Sequence, residues 1–235
     1  MKHQYFGDIN DYRKYGLLRA VREHAGLSLG VCWMLTPNDD RADGKFIAFL
    51  EEPASWREYD PTLFDVLAAV VPTGRHLGHI SEHQVVRDAL YVDAPVPDDR
   101  IGRQAFYTDS HRSLRQADLV FFDPDNGVEI PSCPAGRKNS SKYVMRREIA
   151  HTYAEGQSVL IYQHFIHENR DRFIERLTRD LRHDTSCESV ICFRTANVAF
   201  LLLPQRQHAS AIAMAVEYIG RSWGEQIRIS SYNGA

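Results

Sequence analysis

The segment DLVFFDPDNGVE (residues 118–129) joins an apolar run to a dense group of polar side chains. The run Leu119–Phe122 is apolar throughout, as expected for a strand covered on both faces. Four polar residues follow closely: Asp123, Asp125, Asn126 and Glu129. Asp-Pro-Asp-Asn-Gly is also a favourable turn sequence, but a turn alone requires neither the first aspartate nor the glutamate. The pattern therefore predicts a buried strand that delivers polar groups to a site.

Apolar runs and amphipathic stretches alternate along the rest of the chain. Strands are predicted at 29–37, within 75–80 and 89–97, and at 119–123, 158–165, 188–195, 198–204 and 226–230. Helices are predicted at 10–25, 60–72, 109–117, 141–155, 168–183 and 208–223. Only Ala196-Asn197 separates two of the late apolar runs, which is the spacing of a tight hairpin. We expect one α/β domain over residues 1–235, with a doubly wound, mostly parallel, Rossmann-like sheet that carries an antiparallel edge hairpin.

Composition limits the classes of protein to consider. The chain has 235 residues, of which 43% are hydrophobic and 25% charged, with a formal net charge of −3. This charge provides no general basic field, so a nucleic-acid partner would need a local basic patch. No apolar run approaches the roughly 18 residues that cross a bilayer. The four cysteines are scattered, and the N-terminus lacks a secretory apolar core, so we expect a cytoplasmic protein without a membrane partner.

The predicted sheet places the acidic segment where α/β proteins bind ligands. In open parallel sheets, ligands bind beyond the carboxyl ends of the strands, and Asp123 directly follows such a strand. His164 ends the next predicted strand, so it lies beside Asp123 if the two strands are neighbours. It would then serve as a general base or a metal ligand, although a local hydrogen bond would explain it equally well. Arg194, at the end of a later strand, is a candidate substrate-binding residue and a candidate partner for an acidic residue.

The N-terminal segment, residues 1–26, is predicted to be helical and to close the site. Its core YFGDINDYRKYGLLRAV (residues 5–21) interleaves aromatic, acidic and basic side chains. Helix capping by Asn10 or Asp11 and an ordinary ion pair would explain several of the polar residues. The same pattern suits a nucleotide, whose base stacks on aromatic rings and whose phosphates need cations. The candidate substrate-binding residues here are Tyr5, Asp8, Asp11 and Lys14.

These motifs resemble the adenine amino-group methyltransferases that act on large-subunit ribosomal RNA. GDINDYRKYGLL (residues 7–18) is similar to the start of their N-terminal helix, with Gly7, Asp11, Lys14 and Leu17 in matching positions. The Asp123-Pro124 strand end, the later strand SVLIYQHF and the closing VAFLLLP occur in the same order as in that family.

The resemblance implies a methyltransferase that acts on nucleic acid or a nucleotide, with S-adenosylmethionine as its cofactor. Asp123 and Asn126 would orient the acceptor amine, and Lys14 would contact substrate phosphate or the cofactor carboxylate. The candidate cofactor-binding residues are Thr36, Asp39 and Asp40. The chain departs from the family in two places: Asp125-Asn126 stands where the family has Pro-Tyr, and NDDRADGK (residues 38–45) has one glycine where the family has a glycine-rich loop.

Two other classes of function remain open. Asp123, Asp125 and Glu129 would suit Mg²⁺ or Mn²⁺ in a nuclease or phosphohydrolase, and Asp43-Gly44-Lys45 is similar to the acidic-x-Lys element of restriction-type nucleases. Lys45 is also a candidate substrate-binding residue. The Asp-x-Asp pattern also resembles the first motif of haloacid-dehalogenase-type phosphotransferases, but the downstream motifs of that family are missing. The other open class is a non-enzymatic binding module on a methyltransferase-like scaffold.

Overall fold

The structure is a computed structural model that describes residues 1–39 and 46–234. Its strands are β1 (Leu29–Cys32), β2 (Leu90–Val92), β3 (Leu119–Phe122), β4 (Gly127–Val128), β5 (Tyr143–Val144), β6 (Ser158–His164), β7 (Ser189–Arg194), β8 (Val198–Leu203) and β9 (Arg228–Asn233). Its helices are α1 (Ile9–Ala20), α2 (Pro53–Trp56), α3 (Pro61–Val70), α4 (Gly78–Glu82), α5 (Arg100–Leu114), α6 (Arg146–Ala154), α7 (Arg170–Thr185) and α8 (Ala209–Ser222). Among these helices, none is long and apolar enough to cross a membrane.

Seven strands form one sheet in the order β2-β1-β3-β6-β8-β7-β9. The first four strands in this order are mutually parallel. The predicted β7–β8 hairpin is present, and β8 pairs antiparallel with both β6 and β7. The predicted Rossmann-like α/β sheet is therefore confirmed, with one refinement. The second hairpin strand inserts between β6 and β7, and β9 occupies the edge.

Both faces of the sheet are covered, which explains why the central strands are apolar throughout. Successive side chains of a strand point to opposite faces. Leu119 and Phe121 of β3 pack in the core that includes α1, α3 and α8. Val120 and Phe122 pack in the core that includes α5, α6 and α7. The first core holds α1 over the carboxyl ends of β3 and β6.

Several predicted elements differ from the structure. The helix predicted at 141–155 begins only at Arg146, after the short strand β5. The first strand ends at Cys32, and beyond it only an isolated bridge from Leu35 to Pro95 continues the pairing. The strand predicted within residues 75–80 is absent; residues 78–80 form the start of α4, and residues 75–77 precede it without regular structure. The helix predicted at 109–117 begins earlier, at Arg100, because Asp99 caps it by accepting a hydrogen bond from the Gly102 N–H at 2.8 Å. The N-terminal helix is as predicted, but its cap is Asp8 rather than Asn10 or Asp11.

A close contact between Gly16 and Trp223 sets the distance between α1 and the chain after α8. A Cβ atom on Gly16 would lie 2.3 Å from the Trp223 ring, whereas one on Gly220 of α8 would meet nothing closer than 3.8 Å. Trp223 is fully buried, so the ring has little room to move.

We predict opposite effects of alanine at these two helical glycines. Gly16→Ala should destabilise the protein by about 1–3 kcal/mol, since it overpacks a filled contact. Gly220→Ala, the matched control, should stabilise it by about 0.5–1 kcal/mol because alanine is the better helix former. Urea unfolding of the two variants measures both changes, and equal effects would contradict the proposed packing constraint.

Candidate functional site

A cleft of about 700 Å³ opens at the carboxyl ends of β3 and β6. Its walls come from the N-terminal segment, the loop after β3 and the end of β6. It is lined by Met1, Lys2, Tyr5, Asp8, Asn10, Asp11, Lys14, Phe46, Asp123, Pro124, Asp125, Asn126, Lys142, Tyr162, His164, Phe165 and His167. Residues of the N-terminal segment and of the Asp-Pro-Asp-Asn loop thus line the same cavity.

A buried ion triad ties α1 to the end of β3. The Lys14 Nζ atom lies 2.6 Å from Asp11 Oδ1 and 2.7 Å from Asp123 Oδ2. The lysine is 1% exposed, and burial alone would lower its pKa, but the charges of Asp11 and Asp123 outweigh this and raise it well above its usual value. Burial raises the pKa of Asp123, and the lysine charge opposes that effect. Lys14 is therefore a permanent cation at the base of the cleft.

Asp8 caps α1 and lines the cleft as a group that titrates near neutral pH. Its Oδ1 accepts hydrogen bonds from the Asn10 and Asp11 N–H groups, at 2.8 and 2.9 Å. Burial and then the charge of Asp11 raise the pKa of Asp8 to about 7. A carboxyl group with this pKa exchanges protons readily near neutral pH, as a general acid or base must.

The side-chain oxygen of Asn10, next to Asp8, is an unused acceptor. Asn10 Oδ1 is buried and has no hydrogen-bond partner among the residues that the structure describes. An unpaired buried polar atom is costly, and a native structure retains few of them. Because Asn10 lines the cleft, a donor on a bound ligand would satisfy this atom.

The loop after β3 is held rigidly by Gln163 of β6. The Gln163 amide donates to Asn126 O (3.1 Å) and accepts from the Val128 N–H (2.9 Å). Gly127, between them, has φ +118°, and a Cβ atom there would lie 2.3 Å from the Gln163 amide. Only glycine meets both conditions. The loop residues Asp123–Asn126 are thus fixed in the cleft wall.

The chain's own first residues fill the crevice between β1 and β3. This is where the strand order reverses and where Rossmann-like folds bind their ligands. The Met1 amino group lies 2.7 Å from Asp125 Oδ1 and donates to Met34 O at 3.0 Å. Thr36 Oγ1 donates to Asp125 Oδ2 at 2.6 Å. Burial would raise the pKa of Asp125, but the Met1 charge and these hydrogen bonds lower it.

The residues predicted to bind a cofactor are engaged within the protein. The Thr36 side chain is committed to Asp125, and the Asp39 carboxylate is bonded to Lys2 and Gln4. Asp40, Lys45 and the Asp43-Gly44-Lys45 element lie outside the described residues. In this conformation the Thr36 hydroxyl and the Asp39 carboxylate thus already bond to protein groups.

The structure separates Glu129 and Arg194 from the cleft. Glu129 Oε1 accepts from the Arg146 N–H at 2.8 Å, at the start of α6, and lines a smaller cavity of about 280 Å³. Within residues 1–39 and 46–234, Asp123, Asp125 and Glu129 do not bring three carboxylate oxygens within 4.8 Å of one another. Arg194 pairs with Asp171 of α7 and not with an acidic residue of the cleft.

His164 lies in the cleft wall, but Tyr162 is the β6 residue in register with Asp123. β3 and β6 are neighbours, and Phe122 pairs with Ile161, so the next position along β6 faces Asp123. The Tyr162 hydroxyl lies 3.1 Å from His164 Nε2. Burial and the surrounding carboxylates raise the pKa of Tyr162 well above its usual value, so it remains protonated. The sequence interpretation omitted Tyr162, although its place two residues before His164 put both side chains on one face.

Phe46 and Phe165 also line the cleft without having been predicted, because they come from loops whose positions depend on tertiary packing rather than on a local pattern. Lys142, from the basic segment RKNSSK (residues 137–142), lines it as well. No family model matches this chain, and a comparison with curated proteins finds no match either.

We predict that Lys14→Met destabilises the protein by about 3–5 kcal/mol, because it leaves the Asp11 and Asp123 carboxylates buried without a cation. Urea unfolding measures the change. Arg57→Met removes the exposed Arg57–Asp65 pair and is the matched control, with a small expected effect. Similar losses in the two variants would show that the buried triad is not a structural requirement.

We also predict an unusual pH dependence of stability from Asp8. Its folded pKa of about 7 lies above the ordinary value of 3.8, so its contribution is fully present below pH 4 and is lost as pH rises through 7. The wild type should therefore lose stability relative to Asp8→Asn, on the order of 3 kcal/mol between pH 4 and pH 8.

Urea unfolding at several pH values measures this difference. Asparagine keeps the helix cap, so Asp8→Asn removes mainly the ionisable group. Asp99→Asn, at the exposed cap of α5, is the control for losing a cap charge. A stability difference between wild type and Asp8→Asn that does not change with pH would rule out the assigned burial effect.

Proposed function

We propose that this protein is an enzyme that binds a nucleotide, free or within a nucleic acid, and acts on an amino group of its base. The observation that carries the proposal is the unpaired acceptor Asn10 Oδ1, which shares the cleft with the titratable Asp8 and the fixed loop Asp123–Asn126. These groups together accept the hydrogens of an amine and receive its proton.

The cleft wall supplies hydrogen-bond acceptors for an amino group. Asn10 Oδ1 has no partner among the described residues, and Asp123 lines the cleft with its Oδ2 held by Lys14. An amino group has two hydrogens to donate, whereas a keto oxygen at the same ring position has none. A site of this kind discriminates strongly between the two, since the keto analogue leaves the protein acceptors unpaired.

The rim of the cleft suits the remainder of a nucleotide. Tyr5, Phe46 and Phe165 supply aromatic surfaces, and Phe46 is 64% exposed. Bases stack on such rings irrespective of sequence. Lys142 and His167, also at the cleft, are the side chains available to phosphate oxygens. The protein needs no general basic surface for this, in agreement with its net charge of −3.

Asp8 is the group that we assign to proton transfer. An amino group that gains a new substituent must release a proton, and a base with a pKa near the working pH receives it best. The pKa of Asp8, about 7, meets that condition. Lys14 stays protonated and stabilises negative charge on Asp11 and Asp123, so it positions the acceptors rather than exchanging protons.

Methyl transfer is the reaction that the family resemblance implies, with S-adenosylmethionine as donor. Thr36 and Asp39 bond to protein groups, so this donor would need a rearrangement of residues 1–4 to reach the end of β1. Calorimetry with S-adenosylmethionine, alone and after saturation with a nucleotide, tests this extension of the proposal. Absence of binding in both arms would exclude S-adenosylmethionine while leaving the amino-group site to be judged separately.

The amino-group site is tested by calorimetry with matched pairs of nucleotides that differ at one ring position: adenosine and inosine monophosphate, and cytidine and uridine monophosphate. Single-stranded oligonucleotides with the same substitutions extend the series. We expect the amino member of one pair to bind at least about tenfold more tightly than its keto partner. Equal affinity within every pair, or no binding at all, would contradict the proposal.

Asn10→Ala makes the test specific to the acceptor. It removes a buried oxygen that has no partner in the described chain, so the protein should stay as stable as the wild type while losing its preference for the amino nucleotide. Asn233→Ala, at the exposed edge strand, is the matched control and should retain the preference. A preference that survives Asn10→Ala would place the recognition elsewhere.

A further inference from the structure

A second cluster of chemically active side chains lies on α4 and its C-cap residue His83, outside the cleft. The segment HISEH (residues 79–83) places two histidines four positions apart, with a glutamate between them. In a helix, residues three and four positions apart lie on one face, so His79, Glu82 and His83 project together. The His83 N–H donates to His79 O at 3.0 Å, which confirms a complete helical turn here.

The three side chains offer their ligand atoms at a spacing suited to one ion. One ligand atom from each of His79, Glu82 and His83 lies within 4.8 Å of the others. His79 Nδ1 and Glu82 Oε2 are 3.1 Å apart. Ligand atoms about 2.0–2.1 Å from a tetrahedral metal are separated by roughly 3.3 Å, so this pair needs almost no movement. Glu82 and His83 are exposed and free to make the remaining adjustment.

We propose that α4 binds a divalent transition-metal ion, of the Zn²⁺ or Ni²⁺ type, through His79, Glu82 and His83. Two imidazoles and one carboxylate are the donor set that such ions prefer, whereas Mg²⁺ and Ca²⁺ prefer oxygen ligands alone. Three protein ligands and an exposed surface leave the fourth position to water. The site is independent of the nucleotide proposal, since none of its ligands lines the cleft.

The surroundings of the cluster connect it to the N-terminal segment. The His79 ring packs 5.6 Å from Phe6, and the neighbouring His76 ring stacks on His3 at 4.0 Å. Arg75 Nε also donates to Phe6 O at 2.6 Å. A metal ion that fixes the α4 turn would therefore also stabilise these contacts with residues 3–6. We expect metal binding to stabilise the folded chain as a whole.

The simpler interpretation is a surface ion pair between His79 and Glu82 with His83 nearby. This interpretation predicts no metal affinity beyond that of any exposed histidine. The two interpretations differ in stoichiometry and in their dependence on His83, which makes no contribution to the ion pair.

The experiment is a titration of the full chain, freed of any histidine tag, with Zn²⁺ and Ni²⁺ by calorimetry, together with Co²⁺ absorption spectroscopy. We expect one ion per chain and visible Co²⁺ bands typical of low coordination number. His83→Ala should weaken binding at least about tenfold and remove those bands, because it deletes one of three ligands. At free metal about one hundred times Kd, the melting temperature of the wild type should rise by about 5 °C or more.

His183→Ala removes an exposed histidine beside a carboxylate elsewhere and is the matched control, with unchanged binding expected. His79 packs on Phe6, so His79→Ala is compared only after its fold is verified by circular dichroism; His83 is exposed and carries the decisive test. Binding that is equally strong in the wild type and His83→Ala, or absent from the wild type, would overturn the proposal.

Discussion

The buried ion pair between Lys14 and Asp123 is the interaction on which the rest of the site depends. It joins the first helix to the end of a central strand across 109 positions of the chain. Two charges taken out of water need close and complete pairing to be tolerated. Asp11 completes that pairing from the same helix, at 2.6 Å from the lysine. The position of α1 over the sheet edge, and with it one wall of the cleft, therefore follows from satisfying one buried cation.

The same arrangement explains the chemical character of the cleft. Asp8, one turn before the triad, is buried beside Asp11 and has no cation of its own at salt-bridge distance among the described residues, so its pKa rises to about 7. Asp125, by contrast, accepts the Met1 amino group and its pKa falls. Two carboxylates of one cavity thus have different pKa values because the charged groups around them differ. This separation of roles is what acid–base chemistry in a single pocket requires.

Much of the fold could be predicted from local pattern. The apolar run before Asp123, the periodicity of α1 and α7 and the two-residue spacing of the β7–β8 hairpin all predicted the observed elements. The errors have physical reasons. The β1 strand stops at Cys32, where its pairing with both β2 and β3 ends, and Met34 just beyond it has a positive φ of 48°, which an extended strand does not accommodate. The segment at 75–80 has apolar residues that suit either element, and the short helix α4 forms there.

The sequence by itself determined the class of fold and the place of the acidic loop, because alternation of buried strands and amphipathic helices is a local property. The mixture of aromatic, acidic and basic side chains in residues 5–21 also predicted that Asp8, Asp11 and Lys14 line the same site as Asp123, and all four line the cleft. Only the tertiary structure decided which groups meet. It brought Tyr162 into register with Asp123, moved Glu129 to the start of α6 and filled the β1–β3 crevice with the first residues of the chain. These outcomes depend on strand register and long-range packing, which no short stretch of sequence encodes.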